Sequence, residues 1–201
     1  MKFESGHVYH VFNQGNNKQN IFLSDNEYQT FLNYTVKFVL PYSDMLAYSL
    51  MPNHFHFELC ANRSCETLIK QGGLSIDPLT NGIRKLLSGY ARIFNNQYQK
   101  SGSLFRQKTK AKCLTDSNTS LTSYSGFDYC STCFYYVHMN AVKAGFVIQP
   151  EDWKWSSYAF YAGMVKESIC NKDLAYRFCG YSDQDFKLIK PSEDTLKRFL
   201  G

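Results

Sequence analysis

Along residues 7–143 the hydrophobic pattern switches repeatedly between a period of two and a period of 3.6, which limits the possible folds more than anything else in the chain. Residues 7–13 (HVYHVFN) alternate as a strand does, and Gln14-Gly15-Asn16-Asn17 is a turn. Ser24 with Glu27 three residues on makes a capping box, which opens a helix through about Phe38. Tyr28, Phe31, Leu32, Thr35, Val36 and Val39 share a face of that helix, and Pro41 ends it. Residues 44–50 and 54–60 are strand candidates joined by the tight turn Met51-Pro52-Asn53, and residues 62–75 predict a loop. Asp77-Pro78 starts a second helix, with Leu79, Ile83, Leu86, Leu87, Tyr90, Ile93, Phe94 and Tyr98 at helical spacing. Residues 104–114 predict a basic strand and residues 115–126 a mobile Ser/Thr-rich segment. Asp128 caps a third helix to about Lys143, with Gly145 as its stop.

The order is therefore strand, helix, strand, strand, helix, strand, helix. Its first six elements fit an α+β fold of the ferredoxin-like split βαβ kind, an antiparallel sheet with helices packed on one face, to which the third helix is added. Residues 1–162 read as one domain of this type, and residues 163–201 as a C-terminal helical extension without a motif.

Composition matters at two points. Aromatic residues make up 16% of the chain, and such rings serve either as ordinary core or as stacking platforms for unpaired bases. The net charge of +5 is unevenly placed: residues 79–115 hold Arg84, Lys85, Arg92, Lys100, Arg106, Lys108, Lys110 and Lys112 and no acid. A stretch of that kind suits a polyanion, although a charge run is also what a plain solvated face carries. Residues 1–12 lack the basic head and apolar run of a signal peptide, and no apolar stretch approaches the ~20 residues needed to span a bilayer. A cytoplasmic protein with no membrane partner and reduced thiols is expected, the odd count of 7 cysteines included. Cys130-Ser-Thr-Cys133 has redox-motif spacing, but no second pair completes a zinc site, and two small residues on a helix face describes it better.

Two groups of residues carry chemistry. In His54-Phe55-His56 the histidines are two apart on a strand, so both imidazoles leave the same face and can converge on one ion. Two such ligands hold a divalent cation weakly, and a third must come from elsewhere. Glu58 follows on the same strand face, as a further ligand, a base, or a salt-bridge or edge residue. In Tyr136-Val137-His138-Met139-Asn140, positions four apart lie on one helix face, so Tyr136 and Asn140 can address one point. Lys143 continues that stripe, Cys130, Phe134, Val137 and Ala141 form an apolar one beside it, and His138 points away from both, as a structural or exposed residue.

These elements together resemble the REP-associated tyrosine transposases, a branch of the single-tyrosine HUH-class, insertion-sequence-like transposases. The resemblance rests on Tyr9-His10-Val11-Phe12-Asn13-Gln14-Gly15-Asn16, Met51-Pro52-Asn53-His54-Phe55-His56, Gly102-Ser103-Leu104-Phe105-Arg106-Gln107 and Tyr136-Val137-His138-Met139-Asn140-Ala141-Val142-Lys143-Ala144-Gly145, with Trp153-Lys154-Trp155-Ser156-Ser157-Tyr158 near the end. It spans about residues 7–162 in the right order. Ala141 stands where the family usually has Pro, and the polar segment 115–127 is longer than usual.

The resemblance implies metal-dependent cleavage and transfer of single-stranded DNA at hairpin-forming sequences. Tyr136 would be the nucleophile of a 5′-phosphotyrosine intermediate, and His54, His56 and Asn140 would be ligands of Mg²⁺ or Mn²⁺. DNA contacts are expected from Arg84, Lys85, Arg92, Arg106, Lys108, Lys110, Lys112 and Lys143. Monomer and homodimer stay open. The rival readings are a catalytically silent protein of the same fold that binds single-stranded or hairpin nucleic acid, and a phosphodiesterase that uses water.

Overall fold

The computed structural model describes residues 2–115 and 129–181, together with residues 193, 194 and 197. The expected Ser/Thr-rich segment beyond Thr115, the Asp128 cap and most of the chain after residue 181 lie outside the described residues.

Strand β1 is Val8–Gln14, and helix α1 (Asp25–Phe38) follows it. Strands β2 (Ser43–Met51) and β3 (His54–Ala61) form a hairpin through Pro52 and Asn53. Helix α2 (Pro78–Gln97) leads to β6 (Lys110–Cys113), and between them and β3 lie two short strands, β4 (Ile69–Gln71) and β5 (Leu74–Ile76). The main sheet has the order β2-β3-β1-β6 with every neighbouring pair antiparallel. β3 is thus inserted between β1 and β2, the two strands that α1 connects. The chain is α+β, as its two periodicities require.

Local signals fix the helix starts. Glu27 accepts hydrogen bonds from the backbone N–H groups of Leu23 and Ser24, closing the capping box. Asp77 Oδ1 accepts from Thr80 N at 2.8 Å ahead of Pro78, whose missing N–H costs nothing at that position.

Two expectations fail locally. Residues 62–75 are not all loop: β4 and β5 pair around Gly72-Gly73, both at positive φ, the two-residue hairpin turn that only residues free of a Cβ adopt readily. The basic strand expected over 104–114 is β6 alone. Phe105 bridges Gly15 and Arg106 N bonds to Gln14 O, but the next paired position is Lys110 against Phe12. The Asn13 amide donates to Arg106 O and Thr109 Oγ1 in place of the missing ladder, so the chain bulges outward there and displays its cations.

One face of the sheet packs on α1 and α2. Phe31, Phe55, Phe57, Tyr90 and Phe94 meet there with Val11 and Leu59, all essentially inaccessible. Burying each such side chain contributes about 1.5–3 kcal/mol. α1 and α2 come close enough that a Cβ on Gly82 would lie 2.0 Å from Phe38 O, so that position cannot carry a side chain.

The other face is covered too, which corrects the expectation of helices on one face. Val8, Leu46, Ala47 and Cys60 pack against Cys130, Cys133, Phe134 and Val137 of α3 (Tyr129–His138). Ala175 and Cys179 of α6 (Lys172–Cys179) join the same core with Tyr181. Asn171 N bonds to Met45 O beside this helix, so the expected boundary at 162 divides no core among the described residues. After a break at Met139 the helix resumes as α4 (Asn140–Lys143), and Gly145 stops it as expected. Gly145 N and Phe146 N bond back to Val142 O and Ala141 O, the double closure of a Schellman end.

The segment Trp153-Lys154-Trp155-Ser156-Ser157-Tyr158 lies along the outer edge of β2. Leu50 N bonds to Trp155 O, Ser157 N to Tyr48 O, and Ser49 bridges Ser156, while Trp155 stacks on Tyr28 at 4.6 Å. It covers a strand edge that would otherwise stay open and leads into α5 (Tyr158–Tyr161). Among the described residues no helix is long and apolar enough to cross a membrane.

Candidate active site

Pairing register turns the α3-covered face into transverse rows. Phe12 lies between His56 of β3 and Lys110 of β6, and His10 between Glu58 and Lys112. Gln14 lies beside His54. Residues opposite one another in an antiparallel pair leave the same face, so His54, His56, Phe12 and His10 all point toward α3.

α3 and α4 bring the other half. Tyr136 is half-buried, with its ring edge-on to His56 at 5.3 Å between centroids and to His10 at 6.0 Å. Asn140, one turn on and buried, places Oδ1 3.2 Å from His54 Nε2. Tyr136 and Asn140 thus face the histidine strand, while Lys143 Nζ lies 5.3 Å from the ring centroids of both Tyr135 and Tyr136.

Burial raises the Tyr136 phenol above its ordinary value, and a hydrogen bond from Asn140 pulls it back. The Asn140 oxygen faces His54. Asn140 therefore ties the two halves together.

The hydrogen bonding of His54 bears directly on a metal. Asn53 Oδ1 is 2.6 Å from its Nδ1, and Asn140 Oδ1 is at its Nε2. A neutral imidazole has one N–H and cannot donate to both oxygens. Burial lowers the pKa of His54, against the doubly protonated form. With the N–H given to Asn53, the Nε2 lone pair meets an oxygen lone pair, and a cation between them satisfies both. An N–H given to a carbonyl oxygen is also the usual support of a metal-binding histidine. Burial likewise holds His56 well below its ordinary value, hence neutral, with His10 and His54 adding to the effect. Among the described residues no group of three or more His, Cys, Asp or Glu side chains could hold a metal ion, so a cation here would rest on two imidazoles and one amide oxygen.

His10 is the site residue that sequence reasoning passed over. Its Nε2 is 2.9 Å from His56 Nδ1, both rings are buried, and they stack at 5.1 Å. His10 shares the parity of Phe12 and so its face, but only the β1–β3 register puts it diagonal to His56. Asn53 was visible only as a turn residue.

Glu58, left open between ligand, base and edge roles, lies deeper. It is fully buried, and its Oε1 accepts from Cys179 Sγ at 3.5 Å, within the core that α3 and α6 share. His138 is structural and not exposed: it is 1% accessible and its Nε2 is 2.7 Å from Ser157 Oγ.

The cations divide into groups. Arg84 and Lys85 of α2 line an open groove of about 410 Å³ on the α2 side, bordered by residues 102–107. Arg106, Lys108 and Lys110 line a second cavity of about 230 Å³ with Phe12, Gln14, His54 and His56. Arg106 borders both, at the sheet edge where the chain bulges. Arg92 is exposed on α2 outside both linings. Lys112 is drawn inward, its Nζ 4.8 Å from the Tyr129 ring centroid, on the same row as His10 and Glu58.

No family model matches the chain, and no curated protein does. In structure it is similar to a REP-associated tyrosine transposase solved bound to a REP hairpin, with a TM-score of 0.57 and 14% sequence identity over 84% of this chain and 86% of that one. At that identity the likeness is one of fold.

Proposed function

We propose that the chain cuts and rejoins single-stranded DNA beside a hairpin, through Tyr136. The observation that carries this reading is the meeting of helix and histidine strand, where the Tyr136 ring stands edge-on to His56 at 5.3 Å and Asn140 Oδ1 lies 3.2 Å from His54 Nε2. The order β2-β3-β1-β6 supports assigning the sheet to the ferredoxin-like split arrangement, and the structural neighbour's REP hairpin supports hairpin DNA as the substrate class.

In this mechanism the Tyr136 oxygen attacks the scissile phosphorus as its proton leaves. The O–P bond forms while the P–O3′ bond breaks, and the departing 3′ oxygen takes up a proton from water that replaces the one the phenol gave up, leaving a 5′-phosphotyrosine and a free 3′-hydroxyl. A 3′-hydroxyl of a second strand reverses the step, so the bond energy is kept and no nucleotide cofactor is consumed. His54, His56 and Asn140 would hold Mg²⁺ or Mn²⁺, which when bound polarises the phosphate oxygens. Burial holds the Tyr136 phenol above its ordinary value, and the Asn140 side chain works against that, toward the ionised form. Lys143, with its Nζ 5.3 Å from the Tyr136 ring, would offer its charge to the phosphate. Arg106, Lys108 and Lys110 draw the strand to the histidines.

Incubating the full chain with end-labelled hairpin oligonucleotides carrying single-stranded flanks, and Mg²⁺ or Mn²⁺, tests this. A covalent adduct that survives denaturation should form with the protein and vanish in Tyr136→Phe, with hairpin binding unchanged. Cleavage by Tyr136→Phe at the original rate would transfer the chemistry to water. Binding with no cleavage by the unaltered protein would leave a hairpin-binding module.

A further inference from the structure

The cavity of about 230 Å³ beside the histidine pair has contents that phosphate chemistry does not require. Phe12 is half-exposed on a sheet face that is otherwise buried or polar, in the row between His56 and Lys110. Its ring stacks on His10 at 4.6 Å, and Lys110 Nζ lies over it at 5.7 Å from the centroid. Gln14 stands in the next row, beside His54. Arg106 borders the cavity at the bulge. An aromatic plate, an amide and several cations gathered against a phosphate-handling site are the parts of a nucleotide subsite: the plate takes a base and the cations take its phosphates.

We propose that this cavity receives one unpaired base adjoining the phosphate handled at His54 and His56, stacked on Phe12. This rests on the strand-cutting reading above. The base is unpaired because its face must be free of its neighbours in a stem to lie on the Phe12 ring. Lys110, which covers the ring with the cavity empty of a base, turns to the flanking phosphate when the base takes its place. Gln14 meets the edge of the base, and so makes the site selective as well as receptive.

Hairpins carrying 2-aminopurine at successive single-stranded positions, mixed with the metal-free protein, test the assignment. Stacking on Phe12 should quench the fluorescence at one position only. Phe12→Leu keeps the apolar bulk and removes the π-face; it should abolish that quenching and weaken binding of the flanked hairpin by about tenfold. Phe12→Tyr should restore both. A blunt hairpin without flanks should bind all three proteins alike. Quenching that persists in Phe12→Leu, or equal weakening for the blunt hairpin, overturns the proposal. The two readings fail separately. An adduct that forms equally fast with an abasic residue at each flanking position removes the base subsite and leaves the strand-cutting reading standing. Quenching that depends on Phe12 without any adduct does the reverse.

Discussion

Strands β1 and β3 present two faces made of alternate residues of the same segments, and the two are buried for different reasons. Toward α1 and α2 stand Tyr9, Val11, Phe55, Phe57 and Leu59, a mainly apolar set in a mainly apolar core. Toward α3 stand Val8 and Cys60, packed on the α3 core, and with them Phe12 and the polar side chains His10, His54, His56 and Glu58, whose buried nitrogens are matched to one another or to amides. The first face repays its burial by removing carbon from water, and the second depends on geometry, because a buried polar group is tolerated only where its partner is placed. A slip of one residue in register would exchange the faces and destroy both. The apolar face therefore holds the register in which the histidine face can exist.

The sharpest way to break this comparison is to truncate one residue on each face. Phe57→Ala should cost about 3–5 kcal/mol in urea unfolding, since the ring is wholly buried and the cavity left behind cannot refill. His54→Ala should cost about 1 kcal/mol, because the ring is half-exposed, and yet abolish the covalent adduct. Equal destabilisation by the two substitutions would mean that the histidine face is structural and the division of labour wrong.

A second difference lies in pH. Burial lowers both His10 and His138, on the α3 side, to about 3. The unfolded chain binds these protons from about pH 6.5 downward, and the folded chain does not until about pH 3. Their stabilisation is thus complete above 6.5 and is lost as pH falls from there toward 3. Each group contributes a slope of about 1.4 kcal/mol per pH unit in that window. Urea unfolding at pH 7, 6 and 5 should show this fall, and His138→Asn should reduce the slope by one proton's share. Truncations on the α1/α2 face should lower every point equally and leave the slope as it was.

Legibility in the sequence follows the same division. The α1/α2 face was readable because its signals are local: a capping box at Ser24 and Glu27, a cap at Asp77-Pro78, and two periodicities that fix which residues point inward. The His54 and His56 pair and the Tyr136, Asn140 and Lys143 stripe were readable as spacings, each within one element. What spans elements was not. His10 becomes a partner of His56 only through strand pairing, and Lys112 is drawn under α3 although its charge alone placed it with the DNA-facing cations. The bulge at residues 107–109 depends on where the Asn13 amide bonds, more than ninety positions away, and no periodicity encodes that. The Gly72-Gly73 turn was the exception, a local signal within a segment too polar to suggest strands.

The smallest expected effect separates the two cavities. If DNA passes from the α2 groove round the bulge to the histidines, cations in both cavities meet phosphates, and cations elsewhere do not. Each contact removed should lower the slope of log affinity against log salt by about 0.9 for duplex and about 0.7 for single strand, since that many counterions are released per phosphate neutralised. Arg84→Gln, in the groove on the α2 side, should reduce the slope measured with a blunt hairpin, whereas Lys110→Gln should reduce it only when a single-stranded flank is present. Arg106→Gln should reduce it with either ligand, because Arg106 borders both cavities. Arg177, exposed on α6 and lining neither, serves as the control and should change nothing. These differences are under one unit of slope, so they need affinities at several salt concentrations for each protein. If Lys110→Gln lowers the slope for the blunt hairpin as much as Arg84→Gln does, the duplex reaches the histidines directly and the two cavities do not divide the substrate between stem and strand.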